Sequence, residues 1–174
     1  KERKALARYI AYGLSNRHDR REDVAIRTIP DDEVPAFNSE SAKYVLLAWS
    51  DMGMKSYTDA SASWTILPPG VTLNAQLIQR GGTPAVIVEG VTLSYTVDPE
   101  FVNPGQHVEF WKNAGTLYDR AIAANTGLSG NTLTGIMEAE EEWFTATLLP
   151  VVPYTSAGTY MPYPIFTVTA ANRE

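Results

Sequence analysis

The fold is decided by residues 43–69, KYVLLAWSDMGMKSYTDASASWTILPP. Residues 44–49 form an apolar run that is rich in strand-forming side chains and too short for an independent helix. Gly53 ends the turn that follows this run and is free to take a positive φ angle. A second strand is predicted over residues 62–67, because the Pro-Pro-Gly that follows cannot continue a β-ladder. The stretch therefore predicts two strands and the segment that joins them.

Short strand patterns continue toward the C-terminus, separated by turn residues. Alternating apolar and polar side chains over 71–80 are typical of a half-buried strand, and one short helix is predicted over 114–124. The other predicted strands are 85–97 with a break at Gly90, 107–111, 133–137, 143–149 and 165–170. Short strands with eleven prolines and twelve glycines favour an antiparallel β-sandwich or jelly roll. We predict a mainly β protein whose sandwich domain spans residues 40–174.

Composition narrows the class of protein and the kinds of site. At 174 residues with 44% hydrophobic side chains, the chain can bury the core of one domain without metals or crosslinks. The absence of cysteine excludes disulfides, thiolate metal sites, covalent haem attachment and cysteine nucleophiles. No apolar run approaches the roughly 20 residues that a membrane-spanning helix needs, so a membrane span is not predicted.

Residues 1–35 are predicted to form an N-terminal arm, attached to a body that is the sandwich domain of residues 40–174. A helix is predicted over 1–14, where apolar side chains recur at helical spacing, and an isolated strand over 24–29. A helix of that length is marginal alone in water, and a lone strand needs a sheet edge. Both are therefore predicted to pack on the body or on a neighbouring subunit. The predicted subunit-interface residues are Leu6, Tyr9, Ile10 and Leu14 of the helix, and Val24, Ile26 and Ile29 of the strand.

Charge is distributed unevenly along the chain. Residues 1–23 hold seven basic and four acidic side chains, whereas residues 24–174 hold seven basic and sixteen acidic ones. A basic arm on an acidic body favours self-complementary assembly, with copies of the same chain as partners. The alternative is a solvated tail without a partner. Nucleic acid is not predicted as a partner, because the acidic body would repel phosphate.

No constellation of residues indicates catalysis, a metal or a cofactor. His18 and His107 are far apart in the chain, and neither has a second ligand at metal-binding spacing. The acidic run EAEEE at 138–142 lacks the ordered spacing of a calcium loop and indicates a solvated turn. Neither a phosphate-binding loop ending in Gly-Lys-Ser/Thr nor a Gly-x-Ser-x-Gly nucleophile elbow occurs. The sequence therefore predicts a protein that is not an enzyme.

The aromatic residues fall into two groups. Trp49 and Trp64 lie within apolar strand patterns and are predicted to be in the core. Tyr154, Tyr160 and Tyr163 lie among prolines near the C-terminus and are predicted to be exposed on a loop. Exposed aromatic rings provide stacking surfaces for sugars and protein partners. These three tyrosines are the candidate binding surface of the body.

Several segments of the chain follow one another in a recognisable order: LLAWSDMGMKSY, ILPP, VTLNAQLIQRGGTPAVIVEGVTLSY, FW and GLSGNTLTGIM. They resemble an uncharacterised extracytoplasmic β-rich domain with the pattern LLAWNDLGMHCY, LPP, NFW and GLTG. That domain lies beside multihaem c-type cytochrome segments in secreted proteins of metal-reducing bacteria. The resemblance covers about residues 44–170 and implies an exported β-rich module. Lys55 and Ser56 replace the His-Cys of that pattern, so the resemblance implies no redox chemistry and no cofactor here.

The predicted function is a secreted structural subunit of an extracellular filament or surface assembly, which polymerises through its N-terminal arm. The alternative is an extracellular carbohydrate- or protein-binding β-sandwich module, for example a partner of surface cytochromes. A hydrolase of unrecognised type is a third hypothesis. The first residue is lysine rather than methionine, which favours removal of a leader and an extracellular or cell-surface location.

Overall fold

The computed structural model of the chain describes residues 38–51, 70–161 and 164–173, and the backbone of residues 5–9. Within these ranges the chain forms nine strands and one α-helix, and two short 3-10 turns precede the helix. The strands are β1 (Ala5–Tyr9), β2 (Tyr44–Ser50), β3 (Val71–Gln79), β4 (Ala85–Val86), β5 (Val91–Val97), β6 (Thr134–Ile136), β7 (Glu138–Ala139), β8 (Phe144–Leu149) and β9 (Phe166–Asn172). The helix, α1, is Phe110–Tyr118. In the described part of the chain, no helix has the length and apolar character needed to cross a membrane.

The strands form two antiparallel sheets. One sheet has the strand order β1-β9-β5-β6. The other has the order β2-β3-β8-β7, and the two-residue strand β4 also pairs with β3. The prediction of a mainly β, antiparallel fold is confirmed.

Side chains from both sheets meet in one hydrophobic core. In β3, Leu73, Ala75 and Leu77 are buried, while the residues between them are partly exposed. The strands β5, β8 and β9 contribute the further buried residues Leu93, Tyr95, Val97, Phe144, Ala146, Leu149, Phe166, Val168 and Ala170. Because the cluster draws on both sheets, the sheets pack face to face, as in a β-sandwich. Each fully buried Val, Leu or Phe contributes about 1.5–3 kcal/mol of favourable burial.

The strand predicted over 44–49 is present as β2, but its tryptophan is not in the core. Leu46 and Ala48 pack against the core cluster. Because side chains alternate between the two faces of a strand, Trp49 lies on the opposite face, where it is half-buried. The core prediction for Trp49 was therefore wrong, and Trp64 lies outside the described residues.

The segment after β5 folds differently from the prediction. Residues 107–111 were predicted as a strand, yet α1 begins at Phe110 and also ends earlier than the predicted helix. Phe110 and Ala114 lie one helical turn apart and are buried in a second, smaller cluster with Val152. Asp119 takes a left-handed conformation, with φ at 49°, and ends the helix. Helical spacing of apolar residues thus outweighed strand propensity in this segment.

The helix predicted over 1–14 is wrong at Ala5–Tyr9, which form strand β1 and pair with β9. An isolated helix of about 14 residues is marginal in water. A strand that joins an existing sheet edge instead gains backbone hydrogen bonds along its length. The strands predicted over 24–29 and 62–67 lie outside the described residues.

Candidate functional site

The first and last described strands meet at one margin of the sandwich, which we call the β1–β9 edge (Ala5–Tyr9 with Phe166–Asn172). Each of the five residues of β1 lies opposite one residue of β9 in an antiparallel pair. The other side of β9 pairs with β5 over all seven residues of β9. Strand β1 thus occupies the side of β9 that β5 leaves open.

The register matches alternate positions of β1 to core positions of β9. Three positions of β1 lie opposite residues that are at most 6% exposed: Ala5 opposite Ala170, Ala7 opposite Val168, and Tyr9 opposite Phe166. The other two, Leu6 and Arg8, lie opposite half-buried threonines. Because positions three apart fall on opposite faces of a strand, Leu6 and Tyr9 do not share the face that a helix would give them. The other predicted interface residues lie outside the described residues: Ile10, Leu14, Val24, Ile26 and Ile29.

The pairing at the β1–β9 edge joins segments that are far apart in sequence. Residues 10–43 connect β1 to β2, and the rest of the sandwich separates β2 from β9. Strand β1 also lies beside β2, the margin strand of the other sheet. The β1–β9 pair is therefore not a local hairpin, because a long connection joins β1 to the rest of the sandwich.

A turn at residues 38–42 holds the point where this connection meets the body. The side-chain oxygen of Asn38 accepts hydrogen bonds from the backbone N–H groups two and three residues later, at 2.9 and 3.1 Å. The guanidinium of Arg80, just beyond β3, donates to the carbonyl oxygens of Ser39 and Ala42. These bonds give the connection a defined attachment to the five-stranded sheet.

A second candidate site is the tyrosine loop, which we define as residues 153–161. Tyr154 and Tyr160 form an isolated antiparallel bridge, and their ring centroids are 5.7 Å apart with the planes at 68°. Gly158 has a φ of 83°, a conformation that glycine adopts without strain, and its N–H donates to the Thr155 carbonyl at 2.8 Å. The loop is thus closed by its own hydrogen bonds and brings two tyrosine rings together.

The tyrosine loop is also held by contacts with the segment between β5 and α1. The N–H of Ser156 donates to the Glu100 carbonyl at 2.5 Å, and its hydroxyl oxygen accepts from the Val102 N–H at 3.2 Å. The ring of His107 lies 5.9 Å from that of Tyr154. The Nε2 atom of His107 is buried and makes no hydrogen bond with a described group. The loop therefore packs on the segment between β5 and α1, and the His107 ring of that segment lies next to the Tyr154 ring.

The tyrosines of the loop differ in exposure. Tyr160 is 54% exposed, whereas Tyr154 is half-buried against the smaller hydrophobic cluster. Tyr163 lies outside the described residues. One exposed ring supported by a second ring can stack on the apolar face of a sugar or on a partner's side chain. Sequence reasoning missed His107 as a neighbour of these rings, because a contact between distant segments leaves no local pattern.

The described residues contain no group of three His, Cys, Asp or Glu side chains that could hold a metal ion. Burial raises the pKa of Tyr95 above its ordinary value of 10.0, because desolvation disfavours the phenolate. Its hydroxyl donates to the Thr132 carbonyl at 3.1 Å, and its ring lies 6.3 Å from that of Phe166. Tyr95 is thus a packing residue behind the β1–β9 edge.

Comparison of the chain with protein-family models, with curated proteins and with solved structures found no match. The resemblance to the extracytoplasmic domain beside multihaem cytochromes therefore stays a prediction. The β1–β9 edge and the tyrosine loop are the two candidate sites of the described residues.

Proposed function

We propose that this protein is a structural subunit of an extracellular filament or surface assembly, and that it polymerises through its N-terminal arm. The observation that carries the proposal is the β1–β9 edge, where a strand of the arm pairs with the last strand of the body. Edge pairing rests on backbone hydrogen bonds, which form equally well within one chain or between two copies. A strand at the end of a long connection can therefore pair with another copy as well as with its own chain.

Charge supports the same proposal in a different way. The first 23 residues carry a net positive charge and the remainder a net negative one, so the arm of one copy attracts the body of another. Each exposed ion pair contributes only ~0.2–1 kcal/mol, which is too little to hold a polymer. Charge therefore speeds the encounter of subunits, while backbone pairing and apolar burial hold them together.

Removal of residues 1–35 should abolish polymerisation, because it deletes β1. The intact protein is expected to form filaments or large oligomers, and the shortened protein is expected to be monomeric. Size-exclusion chromatography and negative-stain electron microscopy of the two proteins measure the difference. The shortened protein should remain β-rich by circular dichroism and melt cooperatively, because the core cluster lies within residues 73–170. Polymers of unchanged size from the shortened protein would contradict the proposal.

A matched pair of variants tests β1 in the full-length chain. Proline at two successive positions (Ala7→Pro with Arg8→Pro) removes the donor that points toward β9 at one of the two, because successive N–H groups of a strand point to opposite sides. Threonine at the same positions (Ala7→Thr with Arg8→Thr) keeps the donors and favours a strand. We expect the proline variant to lose polymerisation and the threonine variant to keep it.

Salt should act on the rate of assembly more than on the finished polymer. At about 1 M salt the Debye length is near 3 Å, so attraction between arm and body is screened while buried contacts persist. Light scattering is expected to show slower growth, and filaments transferred into the same salt are expected to persist. Rapid dissolution of finished filaments would show that ion pairs hold them.

A second candidate function is an extracellular module that binds carbohydrate or a protein partner such as a surface cytochrome. The observation that favours it is the exposed ring of Tyr160 over the half-buried ring of Tyr154. The edge-to-face packing of the two rings, at 68°, leaves the Tyr160 ring 54% exposed and able to stack on a ligand.

Tyr160→Ala should weaken this binding without lowering stability, because the side chain is 54% exposed. The measurement is retardation of the protein in gels that contain a panel of soluble polysaccharides. Tyr44, which is 44% exposed on β2, gives a matched control in Tyr44→Ala. Equal retardation of the parent and both variants would show that the tyrosine loop does not bind these polysaccharides.

A further inference from the structure

We infer that, in the assembled state, β1 of one copy occupies the β9 edge of the next copy in the register seen within one chain. The inference rests on the proposed function and specifies its interface. The acceptor is the side of Phe166–Asn172 that β5 leaves open, and the donor is Ala5–Tyr9. The partner is therefore a second copy of this chain.

The acceptor strand, β9, has a sequence and a burial that favour pairing with a further strand. Its sequence is FTVTAAN, without the charged residues or prolines that natural sheets use to block edge pairing. Phe166 and Val168 are at most 6% exposed, so the core extends to this strand. Without β1, its open backbone groups and the margin of the core would face water. Pairing with β1 therefore stabilises this edge, whether β1 comes from the same chain or from another.

The donor can reach either edge. Residues 10–37, between β1 and the turn at 38–42, span at most roughly 100 Å when extended, whereas a domain of the size of the body has a radius of gyration of about 14 Å. The pairing partners are the same within one chain and between two, so exchange of β1 sacrifices no ladder hydrogen bond. Protein concentration then sets the balance between the closed monomer and the exchanged assembly.

Exchange of β1 gives an open-ended product when each copy donates its strand to a different neighbour from the one whose strand it accepts, and a closed dimer when two copies exchange strands with each other. The donor strand and the acceptor edge are different surfaces of the molecule, so each copy offers one of each. Such a heterologous contact produces a ring when the rotation between copies closes, and otherwise a filament. A two-fold dimer that used one self-complementary patch would stop at two copies.

Introduced cysteines can test the exchange directly, because the chain has no cysteine of its own. Leu6 lies opposite Thr169, and opposite residues of an antiparallel pair have Cα atoms about 4.5–5.5 Å apart, within the range a disulfide bridges. Two single variants, Leu6→Cys and Thr169→Cys, are mixed, with one isotopically labelled. The mixture is assembled, oxidised and analysed on non-reducing gels and by mass spectrometry.

We expect a shift from monomer to dimer mass, with a crosslinked peptide that joins one labelled and one unlabelled copy. The double variant, Leu6→Cys with Thr169→Cys, should give a ladder of covalent oligomers after assembly. Thr147 is an exposed threonine on β8, in the other sheet, and Leu6→Cys mixed with Thr147→Cys should give no joined peptide. A second pair in the same register, Arg8→Cys with Thr167→Cys, serves if the first pair folds poorly.

The outcomes separate the inference from the proposed function. Filaments whose double variant forms the disulfide within single chains alone would overturn strand exchange while leaving self-assembly in place. Filaments in which neither register-matched pair crosslinks would overturn the register. Failure of the intact protein to polymerise at any concentration would overturn the proposed function and the inference with it.

Discussion

Phe144→Ala should lower the free energy of unfolding by about 3–5 kcal/mol, the usual cost of removing a fully buried phenylalanine. Phe144 is 2% exposed and belongs to the core cluster between the two sheets. The substitution removes the transfer free energy of the ring and leaves a cavity that the paired strands cannot fill. Since a domain is stable by only about 5–15 kcal/mol, urea denaturation followed by circular dichroism should show a much earlier midpoint.

The neighbouring residue provides the control for this prediction. Trp143 is larger than Phe144 but is 42% exposed, so Trp143→Ala should shift the urea midpoint much less. An equal or larger shift for Trp143→Ala would mean that the inward and outward faces at the start of β8 are reversed.

Gly127→Ala should destabilise the protein by about 3 kcal/mol, at the upper end of the usual cost of overpacking. A β-carbon at this position would overlap the carbonyl oxygen of Leu148, a backbone atom that cannot rotate away as a side chain can. Leu148 already has a positive φ of 51°, and the N–H of Gly127 donates to the Asn131 carbonyl at 2.8 Å. The loop and β8 would have to separate, which weakens the hydrogen bonds that Ser129 Oγ and Asn131 Nδ2 donate to the Thr147 carbonyl at 2.6 and 2.9 Å.

Gly82→Ala is the matched control for Gly127→Ala. A β-carbon on Gly82 would meet no atom within 4 Å, so its effect should stay within about 0.5 kcal/mol. Thermal melting of both variants beside the parent measures the difference. A Gly127→Ala protein that melts like the parent would contradict the close approach of the loop to β8.

Much of the sheet content could be predicted from local patterns. The alternation over 71–80 predicts β3, and the patterns over 143–149 and 165–170 predict β8 and β9 to within two residues at each end. Period-two alternation is a property of neighbouring residues, so it needs no knowledge of the partner strand. The same local reasoning failed at 107–111, because a short apolar run is compatible with either a strand or the first turn of a helix.

The candidate sites could be predicted less well from local patterns than the strands could. Leu6 and Tyr9 were predicted as contact residues, yet a helical face was assigned to them where the structure has strand β1. Tyr160 was predicted to be exposed, but its support by Tyr154 and His107 depends on segments that are distant in sequence. The exposure of Tyr160 was thus predictable and the residues near its ring were not, while the role of Leu6 and Tyr9 in a subunit interface stays a prediction.

The sequence by itself determined that this chain is rich in strands, has no cysteine, and has a net positive charge over residues 1–23 and a net negative charge over residues 24–174. These properties follow from composition and from spacing between near neighbours. The tertiary structure decided which strands pair, which face of β2 carries Trp49, and that Ala5–Tyr9 complete the edge of β9. The physical reason is that a strand cannot satisfy its backbone groups within itself, so they bond to water or to another strand that can be distant in sequence. The position of a strand in a sheet therefore depends on which edge the rest of the fold leaves open.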